Sequence, residues 1–145
     1  MKKKNTEKFE EFESYIKEVF EKELPVTFLD NGSILYKSCK LKIDKNKKWG
    51  LYSTSSDLID TFYLKATALL AAKNYHKSNL KQYLYIKDLD HKYNQSATDT
   101  VFFKHYKKTT KDLVKRDVFT WRYEISLARA KQYKAEIASL FKNNF

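Results

Sequence analysis

One apolar segment constrains the fold of this chain more than any other feature. From Leu58 to Ala72 the sequence reads LIDTFYLKATALLAA, so apolar side chains would cover nearly the whole circumference of a helix built from it. A helix without a clear polar face is usually enclosed between other elements. The Ser-Ser-Asp sequence at 55–57 precedes it, and these residue types favour helix N-caps. The sequence therefore predicts a central apolar helix over residues 57–76.

The stretch before this helix has the pattern of strands. Asn31-Gly32 stands between two apolar runs and predicts a two-residue hairpin turn, because both positions of that turn need positive φ. Such a turn places Phe28 opposite Leu35. A second turn at 45–48 and a short strand at 49–53 complete a three-stranded antiparallel meander. Alternation along its strands predicts Leu35, Cys39, Leu41 and Ile43 on the core face, and Tyr36, Lys40 and Lys42 on the outer face.

The rest of the chain has helical spacing. Residues 5–23 predict an N-terminal helix that ends before Pro25, and further helices are expected from Leu80, after the capping sequence at 94–99, and from Asp117. With 145 residues and 16% aromatics, the chain is large enough for one core. We therefore expect a single α+β domain, residues 1–145. It would have an N-terminal helix, the meander, and four helices packed around the helix at 57–76.

Few residues suggest chemistry. The chain has one cysteine and two glycines, which excludes an intrachain disulfide and a glycine-rich phosphate loop. Its three histidines do not stand at metal-ligand spacing, and the nearest cluster, Asp88-x-Asp90-His91, would point in several directions on a helix. Asp60 would be either a buried acid with a raised pKa or an acid paired with a lysine at the edge of a layer. We expect no catalytic, metal or cofactor site, and hence no enzyme.

The apolar segments also predict where the protein is found. The longest, ATALLAA at 66–72, is far shorter than the roughly 20 residues that cross a bilayer. The lysine-rich start turns acidic without an apolar run, unlike a secretory signal. The expectation is a cytoplasmic protein without membrane contact.

The net charge of +11 favours a polyanionic partner. Lysines supply nearly all of it, and the scarcity of arginine, glycine and proline is also what an AT-rich genome would produce. The charge is concentrated in residues 25–56 and 97–116, each with a net charge of +4. On a helix through the second region, five lysines share one side. The candidate anion-binding residues are Lys104, Lys107, Lys108, Lys111 and Lys115, with Lys40 and Lys42 of the meander. The alternative is an ordinary solvated face.

Two resemblances follow from the element order and the short motifs. Helix, meander and helix over residues 5–76 resembles the double-stranded-RNA-binding domain, although STSSDLIDTF at 53–62 lacks that family's lysine cluster. The layout of the chain also resembles that of small uncharacterised proteins of marine tailed phages. The features that carry this resemblance are the acidic-aromatic start, DNGSILYKS, KKWGLY, KATALLAAK, Leu89-Asp90, and the end in Ala130-Lys131 and Phe145. That resemblance implies a phage origin, and so a host cytoplasm, but no mechanism.

These features favour a non-catalytic basic interaction protein that acts through surfaces. The alternative is an accessory protein that binds nucleic acid independently of sequence through the lysine stripe. The partner would be another protein or nucleic acid. A homodimer is also expected if the C-terminal helix exposes its second apolar stripe, which consists of Leu127, Ala130, Ile137 and Phe141.

Overall fold

A computed structural model describes residues 27–29, 31–37 and 39–144. The helix expected at 5–23 lies outside these residues. The described chain is α+β, as expected, with an antiparallel sheet followed by helices. Five strands pair in sequence order: β1 (Thr27–Phe28), β2 (Ile34–Tyr36), β3 (Cys39–Ile43), β4 (Trp49–Ser53) and β5 (Leu58–Phe62). The prediction of a three-stranded meander followed by four helices is therefore wrong.

The fifth strand replaces the first part of the expected apolar helix. Ser53 N–H donates to the Asp57 carbonyl at 2.9 Å, and Ser56 has φ 66°, so the Ser-Ser-Asp sequence forms a hairpin turn and not an N-cap. Serine and aspartate favour both settings, because their short side chains hydrogen-bond nearby backbone groups in either. Residues 58–62 then pair with β4 across a β-bulge. The helix, α1, spans only Lys65–His76.

The hairpin at Asn31-Gly32 forms with one more loop residue than expected. Leu29 N–H donates to the Ser33 carbonyl at 2.8 Å, and Gly32 adopts φ +85°. Phe28 therefore pairs with Ile34 and not with Leu35. A shift of one residue exchanges the two faces of a strand.

The turn between β2 and β3 determines which side chains of β2 face the core. Tyr36 pairs with Cys39 and Lys37 has φ 49°, so the chain reverses where the prediction continued one alternation, and the faces of β2 differ from that prediction. Ile34 and Tyr36 are buried, whereas Leu35 is exposed. In β3, Cys39 and Leu41 point into the core as expected, but Ile43 is exposed. The core-facing strand residues pack in one cluster with α1, whose residues 66–72 are all buried. The apolar circumference of α1 is thus covered by the sheet and by the later helices.

Two long helices follow where three were expected: α2 (Leu80–Thr109) and α3 (Leu113–Asn144). The predicted cap at 94–99 is an internal turn of α2. There the Thr100 hydroxyl donates to the Ser96 carbonyl at 2.7 Å, which satisfies the hydroxyl within the helix. Asp112 and not Asp117 caps α3, because its carboxylate accepts from Val114 N–H at 2.9 Å and Lys115 N–H at 3.1 Å.

The helices α2 and α3 form an antiparallel hairpin whose inner half belongs to the core. Ile86 and Ile137 are fully buried, and Phe141 is 1% exposed. The stripe offered by the sequence as a dimer surface (Leu127, Ala130, Ile137 and Phe141) is therefore largely core, and its three buried members are not available to a partner. From Val101 to Ile125, by contrast, every residue is exposed or half-exposed. We call this outer end of the hairpin, residues 101–125, the arm.

Candidate functional site

The structure places the predicted lysine stripe around the tip of the arm. Lys104, Lys107 and Lys108 lie on α2, Lys111 lies in the turn, and Lys115 lies on α3. The helix breaks at Thr110, which has an extended backbone. Five lysines of one helix face are thus divided between two antiparallel helices and their connection.

An aromatic cluster holds the two helices of the arm together. The Phe103 and Phe119 rings stack with centroids 6.2 Å apart, and Tyr106 lies 5.4 Å from Phe119. Two cations cover this cluster: the Arg122 guanidinium lies 5.4 Å from the Phe103 ring, and the Lys107 amine lies 4.3 Å from the Tyr123 ring. Lys107 therefore has a packing contact, which the sequence pattern did not reveal.

The arm has a basic side and an apolar side. Lys104 and Lys108 lie about 200° to 240° around α2 from Phe102, at 100° per residue, so they face away from it. Phe102 and Tyr106 are exposed on the other side, with their rings 4.3 Å apart. Of fourteen large apolar side chains exposed in the described part of the chain, seven lie in the arm, which is an unusual concentration for a surface without a partner.

The two lysines of the meander do not extend the basic side. Lys40 and Lys42 alternate along β3 with buried Cys39 and Leu41, so they occupy the sheet face turned away from α1. The arm lies beyond the core, at the far end of the helical hairpin. The seven lysines suggested by the sequence are thus divided between two separate surfaces.

Asp90, one of the acids in the Asp88-x-Asp90-His91 cluster, has a structural contact that sequence reasoning missed. The Asp90 side chain is fully buried, and its carboxylate accepts from the N–H groups of Tyr63 and Leu64 at 3.0 to 3.1 Å. The Thr67 hydroxyl also donates to it at 2.6 Å. Since no side chain of α1 or its N-cap residue caps this helix, an aspartate of α2 performs that role from a distance.

The other members of that cluster point elsewhere. Asp88 pairs with Lys92 on the surface at 2.7 Å, and His91 lies edge-to-face with Tyr63 at 5.7 Å. His105 lies 14 residues further along α2, about 21 Å away at 1.5 Å per residue. Over the described ranges, no three side chains among His, Cys, Asp and Glu are arranged as a metal site would require.

A cleft of about 670 Å³ lies beside β5, and the sequence did not predict it. Asp60, Asn74, Tyr75, His76 and Tyr83 contribute to its walls. The Tyr83 hydroxyl donates to the Asp60 carboxylate at 2.7 Å. Asp60 was considered as a buried acid or as an acid paired with lysine, and the second interpretation is correct.

Lys87 is the lysine that pairs with Asp60. Its amine lies 2.9 Å from the carboxylate, donates to the Thr61 carbonyl, and lies 4.6 Å from the Phe62 ring. Burial opposes ionisation of Asp60, but the hydrogen bonds from Tyr83, Lys87 and Thr61 N–H outweigh it and lower its pKa. Burial and the Asp60 contact raise the pKa of the Tyr83 phenol. The cleft thus contains an ionised carboxylate whose charge is balanced by Lys87, and a phenol that keeps its proton. Neither group is well suited to general acid–base chemistry near neutral pH.

Comparisons with protein-family models, with curated proteins and with solved structures find no match for this chain. None of the helices in the described part has both the length and the apolar content needed to span a membrane.

Proposed function

We propose that the protein is a non-catalytic interaction protein and that the arm is its binding surface. The observation that carries this proposal is the run of 25 consecutive residues, 101–125, in which no side chain is buried and seven large apolar side chains are exposed. The cleft beside Asp60 is a weaker candidate for a binding site, because the charge of Asp60 is already balanced by Lys87.

The charge of the arm favours a polyanion for its basic side. Residues 101–125 contain seven basic and three acidic residues, a net charge of +4. Lys108 and Lys111 are exposed, and Lys104 lies one helical turn before Lys108 on the same side. Lysines in such a row bind phosphates as point charges and do not read bases. Sequence-independent binding of nucleic acid is therefore the concrete form of the proposal.

The sequence resemblance implies a phage origin, which gives the proposal a cellular setting and no further support. It would place the protein in a host cytoplasm, where nucleic acid is abundant. The proposal itself is based on the arm.

Fluorescence anisotropy with labelled oligothymidine and with a labelled DNA duplex tests this function. We expect binding at low salt that weakens linearly in a plot of log affinity against log salt, because each neutralised phosphate releases counterions. Changing Lys108 and Lys111 to Glu should reduce the slope by about 2 for the duplex, since two phosphate contacts are lost. Lys104 and Lys107 are left unchanged, because Lys107 packs on Tyr123.

The control variant changes Lys77 and Lys81 to Glu. Both are exposed near the start of α2, roughly 40 Å from the tip of the arm at 1.5 Å per residue, and the net charge changes equally. If both double variants lose the same affinity, overall charge and not the arm binds the probe. If the unmodified protein binds neither probe at low salt, nucleic-acid binding is wrong.

A further inference from the structure

The outer face of α3 carries a regular apolar pattern that the fold of one chain does not use. Its residues are separated by four and three positions in alternation: Val114, Val118, Trp121, Ile125 and Ala128. The pattern continues through Gln132 to Ala135, so it covers three heptads of the helix. A seven-residue repeat of this kind is typical of the seam of a coiled coil.

These side chains are open to solvent. The exposed fractions are 73% for Val114, 45% for Val118 and 61% for Trp121, while Ile125 is half-exposed. The opposite side of the same helix is packed against its own chain, with Ser126, Ala130 and Ile137 buried. The helix α3 therefore has two apolar faces, and the core covers only one of them.

We propose that this outer stripe is the seam of a parallel, two-stranded coiled coil with a second copy of the chain. Val118, Ile125 and Gln132 occupy the a positions, and Val114, Trp121, Ala128 and Ala135 occupy the d positions. Branched residues at a favour two strands over three or four, and one polar residue at an a position, here Gln132, favours a single register.

The charges beside the seam determine the partner and its orientation. The g positions on one flank are Asp117, Glu124 and Lys131, whereas the e positions on the other are Lys115, Arg122, Arg129 and Glu136. In a parallel pair, g of one helix meets the following e of its partner, so Asp117 meets Arg122 and Glu124 meets Arg129.

In an antiparallel pair e meets e, so Arg122 would face Arg122 or Arg129 of the partner, and these like charges repel. In a parallel pair Lys131 also meets Glu136, so all three g–e contacts are attractive and each occurs twice. These six contacts identify a second copy of this chain as the complementary partner. Within the described part of the chain, Asp117, Glu124 and Arg129 make no ion pair, so these charges are available to it.

The rest of the molecule is compatible with this arrangement. In each copy, α2 and the core contact the side of α3 opposite to the seam, so the two bodies would lie on opposite sides of the symmetry axis. Lys108 and Lys111 lie outside the seam and remain exposed to solvent. The inference does not depend on nucleic-acid binding, and either can fail without the other.

The mass of the full chain in solution, measured by sedimentation over a dilution series, tests the proposal. We expect twice the chain mass of 17.3 kDa at high micromolar concentration. Val118→Glu places an unpaired charge at the centre of the seam and should raise the dissociation constant about 100-fold or more. Leu113→Glu is the matched control, because Leu113 is 70% exposed on the same helix but lies off the seam, and this variant should remain dimeric.

A charge exchange tests the orientation. Glu124→Arg should weaken a parallel dimer roughly 5- to 30-fold by placing like charges together, and adding Arg129→Glu should restore it. Val118→Cys tests the orientation directly, because residue 118 meets residue 118 of the partner only in a parallel pair and the two thiols should then form a disulfide on oxidation. A dimer that does not cross-link would overturn the proposed orientation.

A chain that remains monomeric at high micromolar concentration overturns the dimer. A monomer that loses stability on Val118→Glu but not on Leu113→Glu would show that another segment of the same chain covers the stripe. A dimer that Val118→Glu leaves unchanged would place the interface elsewhere.

Discussion

Replacing Asp90 with alanine should destabilise the fold more than any other single change of an acid in the described chain. The change removes the acceptor of two buried backbone N–H groups, those of Tyr63 and Leu64, at the junction between β5 and α1. A buried donor without an acceptor costs about 1–3 kcal/mol. The Thr67 hydroxyl loses less, because its hydrogen can turn to the Leu64 carbonyl, which lies 3.0 Å away.

Two orphaned donors therefore lower the free energy of unfolding by about 3–5 kcal/mol, a large part of the 5–15 kcal/mol typical of a domain. Asp90→Asn retains one oxygen, but its amide nitrogen would face the Tyr63 N–H, so we expect a loss of about 1–2 kcal/mol. Asp88→Ala is the control. Its ion pair with Lys92 is exposed on the surface, and the change should cost less than about 0.5 kcal/mol.

Urea denaturation of the four proteins, followed by far-ultraviolet circular dichroism, gives these free energies. If Asp90→Ala and Asp88→Ala differ by less than about 1 kcal/mol, the carboxylate does not cap α1 and the reasoning is refuted.

The pH dependence of stability provides an independent check on Asp90. Burial raises the pKa of this carboxyl, although hydrogen bonds from Thr67, Tyr63 and Leu64 act against the increase. The folded protein therefore keeps the proton to a higher pH than the unfolded chain, whose carboxyl titrates near about 3.9. As pH rises from that value through the folded pKa, unfolding releases a proton, and Asp90 contributes progressively less to stability. The same titration of Asp90→Asn should lack this decrease.

Two further changes test the cleft and the first hairpin. The pKa of Asp60 is lowered in the folded state, so its contribution to stability is present above the ordinary value of 3.8 and is lost as pH falls through the folded pKa. Tyr83→Phe removes the 2.7 Å hydrogen bond to Asp60, so the free energy of unfolding at neutral pH should fall by about 1 kcal/mol. The further decrease of this free energy on acidification should also be smaller than in the unmodified protein. An unchanged decrease on acidification would contradict this role of Tyr83. Gly32→Ala should cost about 1–2 kcal/mol in thermal or urea unfolding, because an L side chain is strained at φ +85°. Asn46→Ala, at an exposed turn position without positive φ, serves as its comparison.

The sequence predicted the structure correctly where neighbouring residues allow only one local conformation. Asn31-Gly32 does reverse the chain, because few residues other than glycine adopt φ +85° without strain. The apolar segment at 66–72 is helical and buried, because its composition allows no exposed face. The anion-binding role of the arm lysines stays a prediction, and the structure divides these lysines between α2, the turn and α3, where the sequence pattern placed them on one helix face.

The sequence-based predictions were wrong where one local pattern fits two different secondary structures. Ser-Ser-Asp at 55–57 can cap a helix or turn a hairpin, and the pairing of β5 with β4 selects the turn. The polar residues at 94–99 resemble a cap, yet the helix continues, because Ala97 packs in the core and Thr100 bonds within the helix. The heptad stripe of α3 was present in the sequence, but the buried stripe beside it is equally apolar.

The sequence by itself thus determined the α+β class, the turn at Gly32, and the charge of the arm. These properties depend on composition and on neighbouring residues alone. Only the tertiary structure decided the register of the first hairpin, the fifth strand, and which apolar face of α3 remains open. Each of these depends on contacts between residues far apart in sequence. The bond from Asp90 to the start of α1 is the clearest case, since the acceptor for those backbone N–H groups lies 26 residues further along the chain than Leu64.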